Sequence, residues 1–140
     1  MIQPYIELIA AQVFMSGGII ISLAEGIKPP GVALLKYTKA LVPLENTNKG
    51  RLEKHQVSES WCREVPLDEI EKIFHKLKMA NIPALPEEAM EPDGIDYSLT
   101  IGDGTNSITY TWRTKIPRGW ETIGDVANIL LSMAGEKEIS

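Results

Sequence analysis

Apolar and polar residues alternate most regularly in two short runs on either side of a glycine-rich turn at residues 102–106. The apolar positions of these runs are Tyr97, Leu99, Ile101, Ile108, Tyr110 and Trp112. A two-residue period places alternate side chains on opposite faces of a β-strand. The pattern therefore predicts an antiparallel hairpin with one buried face.

Four apolar segments in the first half of the chain are further strand candidates. Residues 5–15 have an apolar spacing that fits a helix and a Val, Ile and Phe content that is typical of a strand, so both alternatives stay open. Residues 19–23, 32–42 and 54–65 are predicted strands. The second of these should stop before Pro43, because proline has no N–H to donate to a neighbouring strand.

Residues 67–80 have the periodicity of an amphipathic helix. Their apolar stripe consists of Ile70, Ile73, Phe74, Leu77 and Ala80. Asp68 and Glu71 have the spacing of a capping box, in which side chains accept the first backbone N–H groups of a helix. The pattern predicts a helix that begins around Asp68.

A second helix is predicted near the end of the chain, where Thr122 and Asp125 repeat the capping-box spacing. Its apolar stripe consists of Ile123, Val126, Ala127, Leu130 and Ala134. Gly135 should end this helix, because glycine adopts the left-handed conformation found after many helices. Residues 136–140 should then fray.

The element order is strands, helix, hairpin, helix, and strands do not alternate regularly with helices. This order predicts an α+β fold with two layers, an antiparallel β-sheet and two helices packed on one of its faces. We expect residues 1–140 to form a single domain, because the chain has the length of one typical domain.

Composition and charge exclude several classes of protein. The net charge of −5 argues against a nucleic-acid partner, which would require clustered lysine and arginine. The most apolar segment, residues 5–24, contains Glu7 and a glycine pair, so we predict no membrane span and no membrane partner. The single cysteine, Cys62, excludes an internal disulfide and should be a buried or half-buried thiol. These features favour a cytoplasmic protein.

No constellation of residues indicates catalysis. The two histidines are separate: His55 starts a predicted strand, and His75 is expected on the exposed side of the first helix. The chain has neither the ligand spacing of a metal site nor a phosphate-binding glycine loop. We therefore predict no catalytic residues, no metal and no cofactor, and expect that the protein is not an enzyme.

Several segments resemble those of a set of small bacterial proteins that includes the emfourin-type inhibitors of thermolysin-like proteases. The segments are 16–18, 80–83, 93–101 and 129–131. The similarity covers roughly residues 67–135, and more loosely 13–23, whereas 25–66 is longer and differently decorated. The resemblance implies a two-layer α+β fold and a non-catalytic binding role. No inhibitory residue can be carried over from it.

We therefore predict a small bacterial protein-binding domain that acts as an inhibitor, immunity protein or accessory subunit for an unidentified protein partner. The candidate binding residues are Tyr37, Lys49, Arg51, Glu59, Trp61 and Arg63. One alternative is a small enzyme with a site assembled from His55, Glu59, Asp96 and Arg113. The other is a homo-oligomeric module in which an exposed sheet face or edge pairs with a second copy.

Overall fold

The structure, a computed structural model, describes residues 4–12, 17–26, 31–40, 57–86 and 94–139. It contains an antiparallel sheet and two helices, which places it in the α+β class. The elements are β1 (Tyr5–Gln12), β2 (Gly18–Glu25), β3 (Val32–Ala40), β4 (Val57–Pro66), α1 (Leu67–Met79), β5 (Ile95–Gly102), β6 (Ser107–Arg113) and α2 (Glu121–Met133).

The six strands form one sheet in the order β4-β3-β2-β1-β5-β6, and all neighbours are antiparallel. The segment that fitted either helix or strand is therefore a strand, β1. It pairs along its length with β2 and with β5, and these two sets of hydrogen bonds decide what its apolar spacing left open. The predicted hairpin is confirmed as β5 and β6.

Alternate strand residues supply a single core. They join with residues of both helices in one hydrophobic cluster. The fully buried large side chains are Ile6, Leu8, Ile21, Leu23, Leu35, Ile70, Ile73, Leu99, Ile123, Leu130 and Val126. Helix α1 contacts β2, β3 and β4, and α2 contacts β2 and α1. The first helix lies where it was predicted, with Ile70 and Ile73 buried as its stripe requires.

Neither predicted capping box forms. Pro66 precedes α1 without any side-chain cap, because β4 runs into the helix with no intervening loop. Asp68 lies within the first turn, and its carboxylate pairs with Lys72 at 3.3 Å. Helix α2 likewise begins at Glu121, with Trp120 at the cap position and no side-chain cap. The residue at which each helix begins depends on the segment that precedes the helix, and the capping-box pattern does not include that segment.

The end of α2 was predicted correctly, but the segment that follows it was not. Gly135 has a φ of 78°, and the N–H groups of Gly135 and Glu136 bond the carbonyls of Ser132 and Leu131, which is a Schellman motif. The expected fraying of residues 136–140 is wrong for the described residues. The Asn128 side chain accepts from the Ile139 N–H at 2.7 Å and donates to its carbonyl at 3.2 Å.

The remaining predicted strands are confirmed over the described residues. Strand β2 extends beyond the predicted 19–23 at both ends. The predicted ends at 41–42 and 54–56, together with Pro43, lie outside the described residues.

Candidate functional site

Four of the six predicted binding residues lie together at the β4 edge of the sheet. Tyr37 of β3 is directly opposite Trp61 of β4 in the strand register. Glu59 and Arg63 flank Trp61 at two-residue intervals, so all three β4 side chains lie on the same face as Tyr37. With Glu136, which follows α2, these residues form what we call the Trp61 cluster.

Trp61 is held by three neighbours. Its ring stacks on that of Tyr37, with centroids 5.3 Å apart and an interplanar angle of 20°. The guanidinium carbon of Arg63 lies 5.5 Å from the Trp61 ring centroid, within the range of a cation–π contact. The indole Nε1 donates to Glu59 Oε2 at 3.2 Å. Trp61 is half-buried, so a fixed aromatic surface stays accessible between two exposed charged side chains.

Tyr37 joins this cluster to the segment after α2. Its ring is buried, with 3% exposed, and its hydroxyl donates to Glu136 Oε1 at 2.5 Å. Burial raises the pKa of Tyr37 well above its usual value, and the hydrogen bond to Glu136 and the negative charges of Glu136 and Glu59 raise it further. The phenol therefore stays protonated and acts as a hydrogen-bond donor at neutral pH.

Arg63 connects the cluster to the end of α2. The last four carbonyls of a helix have no partner within it. Those of Leu130, Leu131 and Ser132 accept backbone N–H groups from the residues just after α2. The fourth carbonyl, that of Met133, accepts from Arg63 Nη2 at 2.5 Å. Because the last turn of α2 contains no basic residue, Arg63 also supplies the positive charge that this helix end favours.

The other two predicted binding residues, Lys49 and Arg51, lie outside the described residues, and so does His55. The alternative assembled site is not formed by its described members. Asp96 and Arg113 pair at 2.7 Å between β5 and β6. Glu59 lies on β4, four strands away, which corresponds to about 19 Å at the usual strand spacing.

Two further predictions can be compared with the structure. His75 is exposed on α1, as expected. Cys62 was expected to be at least half-buried, but its thiol is exposed. The reason is alternation along an edge strand: Trp61 faces the core, so Cys62 faces away from it. Within the described ranges, no three His, Cys, Asp or Glu residues are grouped closely enough to bind a metal ion.

The other two tryptophans are core residues. Trp120 is 6% exposed, donates to the Pro83 carbonyl at 2.9 Å and meets Tyr110 edge-to-face. Trp112 is 7% exposed and stacks on Tyr97 with centroids 5.4 Å apart. Trp61 is thus the most accessible of the three indoles.

Glu7 is a partly buried carboxyl that was not among the predicted site residues. Glu7 lies opposite Ser22 in one direction and Thr100 in the other, at the centre of the face that alternates with the core. Burial raises the pKa of its carboxyl above the ordinary value. The sequence does contain a signal, which is a single acidic residue between the apolar residues Ile6 and Leu8.

Comparisons with known proteins add no assignment. No protein-family model matches the chain, and a search of curated proteins found no significant match. Neither of the described helices has the length and apolar character needed to cross a membrane.

Proposed function

We propose that the chain is a non-catalytic protein-binding domain that contacts its partner through the Trp61 cluster. Trp, Tyr and Arg are the residue types that most often dominate the binding energy of protein interfaces. Here they occur as one contiguous group. The inhibitor, immunity and accessory classes all fit this proposal, as do a bacterial origin and a cytoplasmic location. The resemblance of residues 67–135 to emfourin-type inhibitors is consistent with it.

The observation that carries the proposal is the fixed position of Trp61. A side chain that is already ordered loses little conformational freedom when a partner binds. The Tyr37 ring supports one side of the indole, and Glu59 holds its Nε1. Trp61 is nevertheless only half-buried, so a partner could complete its burial and gain the associated hydrophobic free energy.

The architecture leaves this edge accessible. We infer that both helices cover the same face of the sheet, because the buried strand residues and the buried residues of α1 and α2 belong to one cluster. The opposite face carries a polar row that runs from Cys62 through Lys36, Ser22 and Glu7 to Thr100. On the helix-covered face, Glu59 and Arg63 are exposed and Trp61 is half-buried, so a partner could reach the Trp61 cluster at the β4 edge.

The charges favour a basic partner surface. Glu59 is exposed, and the protein carries a net charge of −5. Glu59 and Arg63 contribute one charge of each sign beside the indole, so the preference for a basic partner surface follows from the net charge of the whole protein. Opposite charge on the partner would speed association and favour the correct orientation.

The test is quantitative capture of partners from extracts of the source organism with three versions of the chain. Trp61→Ala should reduce recovery of any specific partner at least about tenfold, as expected for a central interface residue. Lys72→Ala, a change at an exposed position on α1, is the matched control and should bind like the wild type. Circular dichroism would verify that both variants are folded. Equal recovery by all three proteins would contradict the proposed role of the Trp61 cluster.

A further inference from the structure

Strand β6 forms the other edge of the described sheet, and its sequence lacks the usual protection of an edge. Ser107 to Trp112 contain no charged residue and no proline, and the β5–β6 register has no bulge. Ile108 is 52% exposed. A regular edge strand in which only the last residue, Arg113, is charged is a template for pairing with another strand.

Two backbone hydrogen bonds establish which main-chain groups face outward. The Thr114 N–H donates to the Ile95 carbonyl at 2.8 Å, and the Asp103 N–H donates to the Asn106 carbonyl at 3.1 Å. Bonded and non-bonded pairs alternate along an antiparallel ladder. The even-numbered residues of β6 therefore bond β5, and the backbone groups of odd-numbered residues such as Thr109 point away from it.

Side-chain geometry agrees with this alternation. Facing residues approach more closely at non-bonded positions. Thr100 and Thr109 face each other at such a position, and their hydroxyl oxygens are 2.8 Å apart. Ser107, Thr109 and Thr111 are all exposed. Their outward N–H and carbonyl groups are thus available to a strand that approaches from the side.

The opposite edge is built differently. Strand β4 carries Glu59, Arg63 and Glu64, and it ends at Pro66. Charged side chains and proline on an edge strand oppose the addition of another strand. The register of β4 also shifts near Lys39 of β3, which makes its path irregular. Strand addition is therefore expected at β6 and not at β4.

We propose that β6 pairs antiparallel with β6 of a second copy of this chain, about a two-fold axis through Tyr110. In this register Thr109 lies opposite the partner's Thr111, and both residues belong to the outward-bonding set. The two symmetric Thr109–Thr111 pairs would exchange about four main-chain hydrogen bonds. Ile108 would lie opposite the partner's Trp112, on the face that carries the core residues.

A second copy fits this edge because the strand is complementary to itself. The two-fold axis places hydroxyl side chains opposite hydroxyl side chains on one face and apolar side chains opposite apolar ones on the other. Repulsion between two chains of charge −5 is the main obstacle. Ser107 to Trp112 carry no charge, and Arg113, which this register places opposite the partner's Ser107 at each end of the junction, is already paired with Asp96 at 2.7 Å.

The first test measures the mass of the full chain by light scattering from about 1 µM to about 1 mM. The wild type should shift from monomer to dimer within this range. Thr111→Pro should remain monomeric, because it removes an outward N–H that β5 does not use. Thr111→Ala is the matched control and should dimerise like the wild type. A wild type that stays monomeric throughout would overturn the proposal, and so would a Thr111→Pro dimer.

A second variant and a second measurement cover the case in which Thr111→Pro does not fold. Thr111→Lys keeps the strand but places a charge at the junction, and it should weaken the dimer at least about tenfold. Amide hydrogen exchange should slow at Thr109 and Thr111 as wild-type concentration rises. A dimer whose β6 amides show no such protection would place the interface elsewhere and refute the pairing.

Discussion

Arg63→Met should destabilise the protein by detaching the end of α2 from the edge of the sheet. Methionine keeps much of the aliphatic stem of arginine but can neither donate to the Met133 carbonyl nor place a charge beside Trp61. The other three terminal carbonyls keep their backbone donors. The substitution therefore removes three interactions: one hydrogen bond, one favourable charge at the helix end and one cation–π contact.

The magnitude follows from the exposure of these groups. A hydrogen bond from a charged donor contributes about 1.5–3 kcal/mol when desolvated. A cation at a helix C-terminus adds about 0.3–1 kcal/mol at the surface. Because Arg63 is exposed, water competes for its guanidinium, so we expect a loss of about 1–2 kcal/mol in the free energy of unfolding. Arg63→Lys should lose less, because it retains a charged donor.

Urea unfolding followed by circular dichroism would measure this loss. Lys72→Met is the matched control, since Lys72 is an exposed cation with only surface ion pairs to Asp68 and Glu69. Its effect should stay within about 0.5 kcal/mol. The denaturant slope should not change, because the exposed surface of the unfolded chain is nearly the same. If Arg63→Met and Lys72→Met have equal effects, the proposed anchoring of α2 by Arg63 is wrong.

Three further changes test other parts of the structure. Burial raises the pKa of Glu7, so the stability of the wild type falls as pH rises from the ordinary pKa of 4.5 through the raised pKa. Glu7→Gln should therefore be more stable than the wild type near neutral pH, and urea titrations should show this difference disappearing below pH 4.5. Gly124→Ala should destabilise the protein by about 1–3 kcal/mol although alanine favours helices, because its methyl group would lie 2.6–2.8 Å from side-chain atoms of Ile116. Adding Ile116→Ala should restore part of the lost stability, as measured by thermal unfolding. Asn128→Ala should cost about 1 kcal/mol and speed amide exchange at Ile139, and unchanged exchange there would refute the tethering of the tail.

The elements with a clear period could be predicted from sequence alone. The hairpin is the best example, because Tyr97 to Trp112 combine a two-residue period with a glycine-rich turn. Asp103 strengthens this turn by accepting the Thr105 and Asn106 N–H groups, which also lowers the pKa of its carboxyl. The turn residues and the pairing of β5 with β6 favour the same conformation, so the short-range sequence pattern was sufficient to predict the hairpin.

The errors occur where a residue's environment comes from distant parts of the chain. The accessibility of Cys62 depends on the position of β4 at an edge, which the strand's own residues do not encode. Residues 136–140 were expected to fray because terminal segments are commonly poorly ordered, yet Asn128 binds Ile139 and Tyr37 binds Glu136. The Tyr37–Glu136 bond joins residues 99 positions apart. No pattern within a short window of sequence contains such a pair.

The candidate site could be predicted only in part, because some of its contacts also join distant parts of the chain. Glu59, Trp61 and Arg63 share a face through the two-residue period, so their grouping followed from the sequence once β4 was taken as a strand. The bonds of Arg63 to the Met133 carbonyl and of Tyr37 to Glu136 could not be predicted, because they depend on where α2 ends relative to the sheet. The sequence therefore indicated which residues could form the surface, but not that the surface also holds a helix end.

The two proposals concern opposite edges of one sheet and can be separated experimentally. Five strand spacings separate β4 from β6, or about 24 Å. Trp61→Ala should therefore reduce partner capture at least about tenfold and leave the monomer–dimer equilibrium unchanged. Thr111→Pro should do the reverse, and should leave the affinity of one chain for one partner molecule intact. If Trp61→Ala also prevents dimerisation while the protein stays folded, the second copy must contact β4, and the β6 pairing is wrong even though a dimer forms.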